Sequence, residues 1–148
     1  MVCLGNICRS PLAEGILRKK VKSHKLDWTV DSAGTGSWHI GASPDPRSIA
    51  VAKNHGIDIE QQRGRQLSKR DFENFDLIFA MDSENFQNIM RLAPSEEDKQ
   101  KVSLIMNQLE SKSNQSVPDP YWDDDGFEKV FKMLEKACEK IVDNFASR

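Results

Sequence analysis

The chain has 148 residues, with 30% charged and 38% hydrophobic side chains and a formal net charge of −2. This length supports one domain with a substantial core, and the composition is that of a globular protein without a disulfide scaffold. The near-neutral charge argues against a nucleic-acid partner or an anionic-membrane partner, and no apolar stretch has the length of a membrane span.

The first informative stretch lies at the N-terminal end, over residues 3–10, which we call the phosphate loop. Gly5 and Asn6 suit a tight turn, because glycine permits positive φ and asparagine tolerates the left-handed region. Ser10 is a good helix N-cap and Pro11 a good first helical residue. The stretch therefore predicts a loop that ends at a helix N-terminus, where free amide groups and the positive dipole end bind a phosphate-sized dianion.

Cys3 and Arg9, separated by five residues, add reactive groups to this loop. A helix N-terminus stabilises a thiolate, which is the nucleophilic form of cysteine, and a planar guanidinium binds two phosphoryl oxygens at once. Together they predict phosphoryl transfer through Cys3. Cys8 lies in the same curved loop, so a disulfide with Cys3 is geometrically feasible. The alternative is a pair of buried structural cysteines in an ordinary strand–loop–helix unit.

Apolar periodicity along the rest of the chain predicts alternating strands and helices. After the first strand, which ends at Cys3, strands are expected over residues 28–33, 76–81 and 102–106. Helices are expected over residues 11–24, 46–54, 68–74, 83–93 and 127–145, the last with Cys138 on its apolar stripe. The alternation predicts a parallel sheet covered on both faces, and ligands bind beyond the carboxyl ends of such strands, where Cys3 lies.

A long polar loop over residues 108–125 contains the second chemical element, the carboxylate of Asp119 between Pro118 and Pro120. Two prolines restrict the backbone around one acid, and a carboxylic acid near a leaving oxygen supplies the proton that a departing phenolate needs. The alternative is a solvated acid in a Pro-Asp-Pro turn. No cysteine and histidine grouping has metal-ligand spacing, and this chemistry requires no metal, so we expect no cofactor.

Longer runs of the sequence resemble the low-molecular-weight protein tyrosine phosphatases. C-x5-R alone is a weak pattern, but C-x5-R-S-P near the N-terminus, with Gly5 and Asn6 inside it, is specific. The similarity continues through five further runs: Asp31–Thr35, Asn54–Ile57, Phe75–Ile78, Ala80–Asp82 and Asp119–Trp122. The resemblance implies one α/β domain over residues 1–148, with a four-stranded parallel sheet in the order 2-1-3-4, helices on both faces and the phosphate loop after strand 1.

The resemblance also implies which residues form the site. Cys3 is the nucleophile, Arg9 the phosphate clamp, and Asp119 the general acid and then the base. The other positions bind phosphate (Leu4, Gly5, Asn6, Ile7, Cys8, Arg9 and Ser10), support the loop (Asn6, Ser10, Ser32 and His55) or form aromatic walls of the cleft (Trp38, Tyr121 and Trp122). The implied reaction is hydrolysis of phosphotyrosine in proteins, or of small aryl phosphates, through phosphocysteine, with inorganic phosphate as product.

Three other functions stay open at this point. Phosphoarginine phosphatases share the fold and the loop, but a threonine is typical there where this chain has Ile7. Thioredoxin-linked arsenate reductases use further cysteines near the loop after the third strand, where this chain has Ala80. A phosphotyrosine-binding module without activity has no need for Cys3, Arg9 and Asp119 together.

Two expectations concern the protein as a whole. Thiolate chemistry needs a reducing compartment, so we expect a cytoplasmic location, and we expect a monomer. Only Met1 and Val2 precede Cys3, whereas members of the family have a full apolar strand there. We therefore expect an incomplete first strand, which means that the sequence is truncated or that its true start lies upstream.

Overall fold

The computed structural model describes residues 1–147. One sheet organises them, and its four strands are short: β1 (Val2–Cys3), β2 (Ala33–Gly34), β3 (Ile78–Ala80) and β4 (Val102–Leu104). All pairings are parallel and the strands lie in the order β2-β1-β3-β4, so the expected fold class and strand order are confirmed. Because the strands are parallel, the segments that follow β1 and β3 emerge at the same edge of the sheet.

Helices connect and cover these strands: α1 (Arg9–Ser23), α2 (Pro46–Asn54), α3 (Arg70–Asn74), α4 (Ser83–Leu92), α5 (Glu96–Lys99) and α6 (Gly126–Phe145). Two short 3-10 turns occupy Ile105–Gln108 and Pro120–Trp122. Two of the expected caps are present: the Asp45 carboxylate accepts from the Arg47 N–H at 2.8 Å, and Asp82 accepts from the Asn85 N–H at 2.7 Å. Within residues 1–147, no helix combines the length and the apolar character needed to cross a membrane.

Successive side chains of each strand point to opposite faces of the sheet, and a hydrophobic core lies on each face. The larger core packs α1, α2 and α6 against Cys3 and Phe79. The smaller core packs Val2 and Ile78 against the side of the sheet that α3 and α4 cover. Cys138 is fully buried in the larger core, which confirms that it is a core residue. Helices therefore cover both faces, as expected.

The regular strands are shorter than the sequence predicts. The predicted strand over residues 28–33 is wrong except at its last residue, because β2 covers only Ala33–Gly34. The neighbouring strand β1 contributes two residues to the ladder, so residues 28–32 have little backbone to pair with. One contact remains there, since the Met1 ammonium donates to the Asp31 carbonyl oxygen at 3.1 Å. Similarly, the last predicted strand gives way to a 3-10 turn at Ile105.

Helix α1 begins at Arg9, two residues earlier than predicted. Cys8 occupies the N-cap position without a side-chain hydrogen bond, so the predicted capping role of Ser10 is wrong. Ser10 instead lies in the first turn, where its hydroxyl turns into the phosphate loop. Pro11 also fits this turn, since an N–H there would have no intrahelical partner.

Candidate functional site

The conformation of the phosphate loop depends on Asn6. Its φ is +58°, in the left-handed region, which costs an L-residue about 1–2 kcal/mol. Its side chain compensates: Nδ2 donates to Ser10 Oγ at 2.8 Å and to Ser32 Oγ at 3.0 Å, and Oδ1 accepts from the Arg65 N–H at 3.0 Å. Each such bond stabilises by about 0.5–1.5 kcal/mol, so together they offset the backbone strain.

Two glycines let the loop approach its neighbours closely. A Cβ at Gly5 would lie 3.0 Å from His39 Cδ2, and a Cβ at Gly34 of β2 would lie 2.8 Å from the Leu4 carbonyl oxygen. Gly5 does not have the positive φ that the sequence predicts, which Asn6 has instead. A side chain at Gly5 would therefore require a small shift of the His39 ring, whereas the backbone angle at Gly5 is not an unusual one.

The Cys3 sulfur lies at the end of β1, inside the phosphate loop. Sγ is 3.0 Å from Ser10 Oγ, and the Asn6 N–H donates to it at 3.3 Å. The side chain is buried, and these two groups are the hydrogen-bond partners of the sulfur among the described residues. A hydroxyl and an amide therefore hold the sulfur in place inside the loop.

Cys8 has a different environment although it lies in the same loop. Burial, and then the carboxylate of Asp45, raise the pKa of Cys8 to about 12, so this thiol is protonated at neutral pH. The loop around it is tied to the start of α2, where the Asp45 N–H donates to the Ile7 carbonyl at 2.8 Å and Ser48 Oγ donates to the Cys8 carbonyl at 3.2 Å. Cys8 is therefore a weak nucleophile at neutral pH.

Arg9 connects the phosphate loop to two other parts of the site. Its Nη1 donates to Asp82 Oδ2 at 2.7 Å and to the Val117 carbonyl oxygen at 2.9 Å. Arg9 is only 3% exposed, so this guanidinium is held firmly. Among the described residues Nε and Nη2 make no further hydrogen bond, and these two groups form the edge of the fork that can bind an anion bidentately.

Asp119 lies in the segment of residues 117–125, which we call the Asp119 loop. Its Oδ1 accepts from the Tyr121 N–H at 3.0 Å, and the residue is exposed. Burial raises the pKa of Cys8 most, followed by Asp45 and Cys3, and the Asp119 carboxylate is a further group that raises it. The carboxylate is therefore close enough to the phosphate loop to act on it electrostatically.

Three exposed aromatic side chains lie on segments that are anchored next to the loop. Trp38 is 71% exposed and Trp122 is 88% exposed, and Trp122 contacts Tyr121 edge to face with ring centroids 4.8 Å apart. The Trp38 ring lies over Gly36, where a Cβ would overlap it, and the Gly36 N–H donates to the Leu4 carbonyl at 2.9 Å. Apolar surface that is exposed in this way is available to pack against a ligand.

His55 does not join the Asn6 network, so this part of the implied site is wrong. Its Nε2 lies 2.8 Å from Glu128 Oε1, and its ring stacks on Phe131 with centroids 4.0 Å apart. The residue is the C-cap of α2, and its side chain is directed towards α6 rather than towards the loop. The remaining members, Asn6, Ser10 and Ser32, are in hydrogen-bond contact as expected.

Three supporting residues have no role in the site expected from sequence. Glu14 Oε1 accepts from Ser32 Oγ at 2.8 Å, and burial raises the pKa of Glu14. Asp82 binds Arg9 as well as capping α4, and Arg65 supports Asn6 through its backbone. The position of Glu14 among apolar residues of α1 could have indicated that it is a buried site residue, whereas nothing in the sequence around Arg65 indicates a role.

Comparisons with known proteins identify the family. A family model described as low molecular weight phosphotyrosine protein phosphatase matches residues 1–148. The low molecular weight phosphotyrosine protein phosphatase of Schizosaccharomyces pombe is 42% identical over 149 residues, which cover 98% of this chain and 94% of that protein. The crystal structure of a protein tyrosine phosphatase from Entamoeba histolytica matches with a TM-score of 0.92 and 39% identity, covering 99% of this chain and 94% of that chain.

A second solved structure, a Drosophila arginine phosphatase, matches with a TM-score of 0.90 and 35% identity, covering 97% of this chain and 94% of that chain. The match to the family model over the whole chain and the identity to relatives of the same length agree with each other and with the sheet order. The chain therefore belongs to the low molecular weight phosphotyrosine protein phosphatase family and is a phosphatase.

Proposed function

We propose that this phosphatase hydrolyses phosphotyrosine in proteins through a phosphocysteine intermediate on Cys3. The observation that supports this most directly is the environment of the Cys3 sulfur, with the Ser10 hydroxyl at 3.0 Å and the Asn6 amide at 3.3 Å. The sulfur also lies beside the N-terminal end of α1, whose dipole favours negative charge. The thiolate form of a cysteine is a strong nucleophile, and a phosphoryl group bound in the loop would lie next to this sulfur.

In the first step the Cys3 thiolate attacks phosphorus in line with the leaving oxygen. The S–P bond forms while the P–O bond breaks, and Asp119 gives its proton to the departing phenolate. Backbone N–H groups of the phosphate loop and the Nε and Nη2 groups of Arg9 hold the three equatorial oxygens. The tie between Arg9 and Asp82 keeps the guanidinium in place as negative charge develops.

In the second step a water molecule hydrolyses the phosphocysteine. A new P–O bond forms, the S–P bond breaks, and inorganic phosphate leaves. Asp119, now ionised, takes the proton of the attacking water. The Ser10 hydroxyl donates to the departing sulfur and so stabilises the thiolate that is regenerated.

The exposed rings of Trp38, Tyr121 and Trp122 support an aromatic substrate, because flat side chains stack on a phenyl ring. The side chain of phosphoserine is too short to bring its phosphate past such walls to the bottom of the loop. Small aryl phosphates meet the same requirements as phosphotyrosine. All the proposed groups come from one chain, so a monomer suffices, and the need for a reduced Cys3 suits the cytoplasm.

Activity on phosphoarginine is the second candidate, because a Drosophila arginine phosphatase has a similar structure. Ile7 argues against it: this apolar side chain packs partly on the larger core and offers no hydroxyl at the loop. A panel of phosphotyrosine, phosphoserine and phosphoarginine peptides, with p-nitrophenyl phosphate and with arsenate plus thioredoxin, tests the proposal. We expect kcat/KM for phosphotyrosine to exceed the values for phosphoserine and phosphoarginine by at least about 100-fold. A higher value for phosphoarginine, or no turnover of any ester, would contradict the proposal.

We expect Arg9→Lys to lower kcat/KM for p-nitrophenyl phosphate by more than about tenfold, or ~1.4 kcal/mol. A lysine ammonium cannot bind Asp82, the Val117 carbonyl and two phosphoryl oxygens at once, as the guanidinium fork can. Arg91→Lys is the matched control and should stay within about twofold of the unchanged protein. Arg91 lies exposed on α4, and within residues 1–147 its side chain bonds only to Asn88, one helical turn earlier. A loss at Arg9→Lys no larger than that of the control would remove Arg9 from the clamp.

Oxidation tests the relation between the two cysteines of the loop. We expect mild peroxide to convert Cys3 to a sulfenic acid, which then condenses with the Cys8 thiol to give a disulfide and water. Dithiothreitol should restore activity by reducing this disulfide. In Cys8→Ser the disulfide cannot form, so further oxidation of Cys3 should make the loss of activity irreversible. Because the pKa of Cys8 is about 12, trapping should become faster as the pH rises. If mass spectrometry finds no linkage within residues 3–8 after peroxide, Cys8 serves only to pack beneath the loop.

A further inference from the structure

We propose that Arg47 is a positioning residue that holds the Asp119 loop against the start of α2. This inference rests on the proposed role of Asp119 as general acid. Arg47 is the second residue of α2, and the sequence alone gives it no role. Its guanidinium contacts both the part of the chain that supports the phosphate loop and the part that carries Asp119.

On the side of the phosphate loop, Arg47 is bound to Asp45. Nε donates to Oδ1 at 3.0 Å and Nη2 donates to Oδ2 at 2.9 Å, which is a bidentate arrangement. The carboxylate of Asp45 is only 8% exposed, and the hydrogen bonds from Arg47 lower the pKa of Asp45, so it stays ionised near neutral pH. The Asp45 N–H in turn donates to the Ile7 carbonyl at 2.8 Å. The guanidinium is therefore fixed relative to the phosphate loop.

On the other side, the same guanidinium contacts the Asp119 loop. Nη1 donates to Asp124 Oδ1 at 2.5 Å, and the guanidinium carbon lies 5.5 Å from the centre of the Tyr121 ring and 4.6 Å from that of Phe127. These separations are those of cation–π contacts. The Tyr121 N–H donates to Asp119 Oδ1 at 3.0 Å. Arg47 is therefore connected to the Asp119 carboxylate through Tyr121 alone, by its contact with the ring and by this hydrogen bond.

Asp119 thus lies between two anchors. Before it, Val117 accepts from Arg9 at 2.9 Å and donates to the Met81 carbonyl at 2.8 Å. After it, Arg47 is the anchor. The Asp119 side chain itself is exposed and depends on these anchors for its position. A general acid acts only within hydrogen-bond reach of the leaving oxygen, and a displacement of about 1 Å costs about 100-fold in rate.

The ion pair with Asp124 alone is not expected to be worth much, because the Asp124 side chain is 85% exposed and surface pairs contribute little. The arrangement is effective because one rigid group makes all the contacts. Three of its nitrogens are committed to carboxylates in fixed directions, and its face lies against two rings. Losing the guanidinium therefore removes all of these contacts with the loop at once.

Single-turnover formation of the phosphoenzyme tests this role, with phosphotyrosine and p-nitrophenyl phosphate as substrates. Arg47→Met keeps much of the stem and removes the guanidinium. We expect the rate with phosphotyrosine to fall by about tenfold or more, and that with p-nitrophenyl phosphate by less than about threefold, since only the first leaving group needs a proton. Asp124→Asn changes an exposed side chain, and it should also slow phosphoenzyme formation from phosphotyrosine more than from p-nitrophenyl phosphate, but by a smaller factor than Arg47→Met. Arg91→Met is the matched control, and it should change neither rate.

A double-variant cycle makes the test decisive. In an Asp119→Asn background, Arg47→Met should cause almost no further loss with phosphotyrosine, because the acid that it positions is already absent. Equal losses for both substrates, or losses that multiply in the double variant, would overturn the positioning role of Arg47. The proposed function fails in a different way, which is that the unchanged protein forms no phosphoenzyme. If Asp119→Asn alone has no selective effect, the role of Asp119 as general acid and the positioning role of Arg47 are overturned together.

Discussion

Cys3→Ser should abolish turnover of aryl phosphates while the protein still binds phosphate. The serine hydroxyl is not ionised near neutral pH, so the nucleophile is lost although the change removes no contact that shapes the loop. Asn6 keeps its four hydrogen bonds, through its own N–H and its side chain, with oxygen in place of sulfur as one acceptor. Phosphate binding depends on the loop amides and Arg9, which are unchanged.

Two measurements on the same sample separate these effects. Turnover of p-nitrophenyl phosphate should fall to background, whereas phosphate at about 100 times its Kd should still stabilise the fold by ~2.7 kcal/mol, visible as a rise in Tm. Cys138→Ser replaces a sulfur that is buried in the larger core, and it should lower Tm without changing turnover per folded molecule. Retained turnover in Cys3→Ser would exclude the covalent mechanism, and loss of phosphate binding would show that the sulfur is needed to shape the loop.

Local sequence patterns proved reliable where the interaction that they predict is also local. Asp45 and Asp82 cap their helices through N–H groups two and three residues further on. Gly56, with φ of +76°, lies in the left-handed position just beyond α2. Such contacts involve a few neighbouring residues, and their chemistry is legible in the sequence. The order of the strands, in contrast, came from the resemblance to the family rather than from periodicity.

Expectations were wrong where distant parts of the chain decide the outcome. His55 is directed towards Glu128 because α6 packs next to α2, and no pattern around His55 encodes that neighbour. Similarly, Asn6 accepts from the backbone N–H of Arg65, which lies 59 positions away and was not expected in the site. Ser10 has a side chain suited to a helix cap, but its hydroxyl instead bonds to the Cys3 sulfur and the Asn6 side-chain amide.

Asp119→Asn should slow phosphoenzyme formation from phosphotyrosine by about 10²–10⁴-fold, the usual contribution of a general acid. Tyrosine phenolate, with a pKa of about 10, is a poor leaving group unless it is protonated as the P–O bond breaks. The p-nitrophenolate ion departs without full protonation, so the same step with p-nitrophenyl phosphate should slow much less. Asparagine keeps the shape of the side chain and a carbonyl oxygen to accept from the Tyr121 N–H.

Steady-state rates are not sufficient for this comparison, because hydrolysis of phosphocysteine can limit turnover for both substrates. A burst or single-turnover measurement isolates the first step, and only in the unchanged protein should the rate depend weakly on the leaving group. If both substrates lose the same factor, Asp119 is a structural turn residue and the acid lies elsewhere. Asp82 is then a poor replacement, since Arg9 and the Asn85 N–H already occupy its two oxygens, whereas Asp123 in the same loop has an exposed side chain.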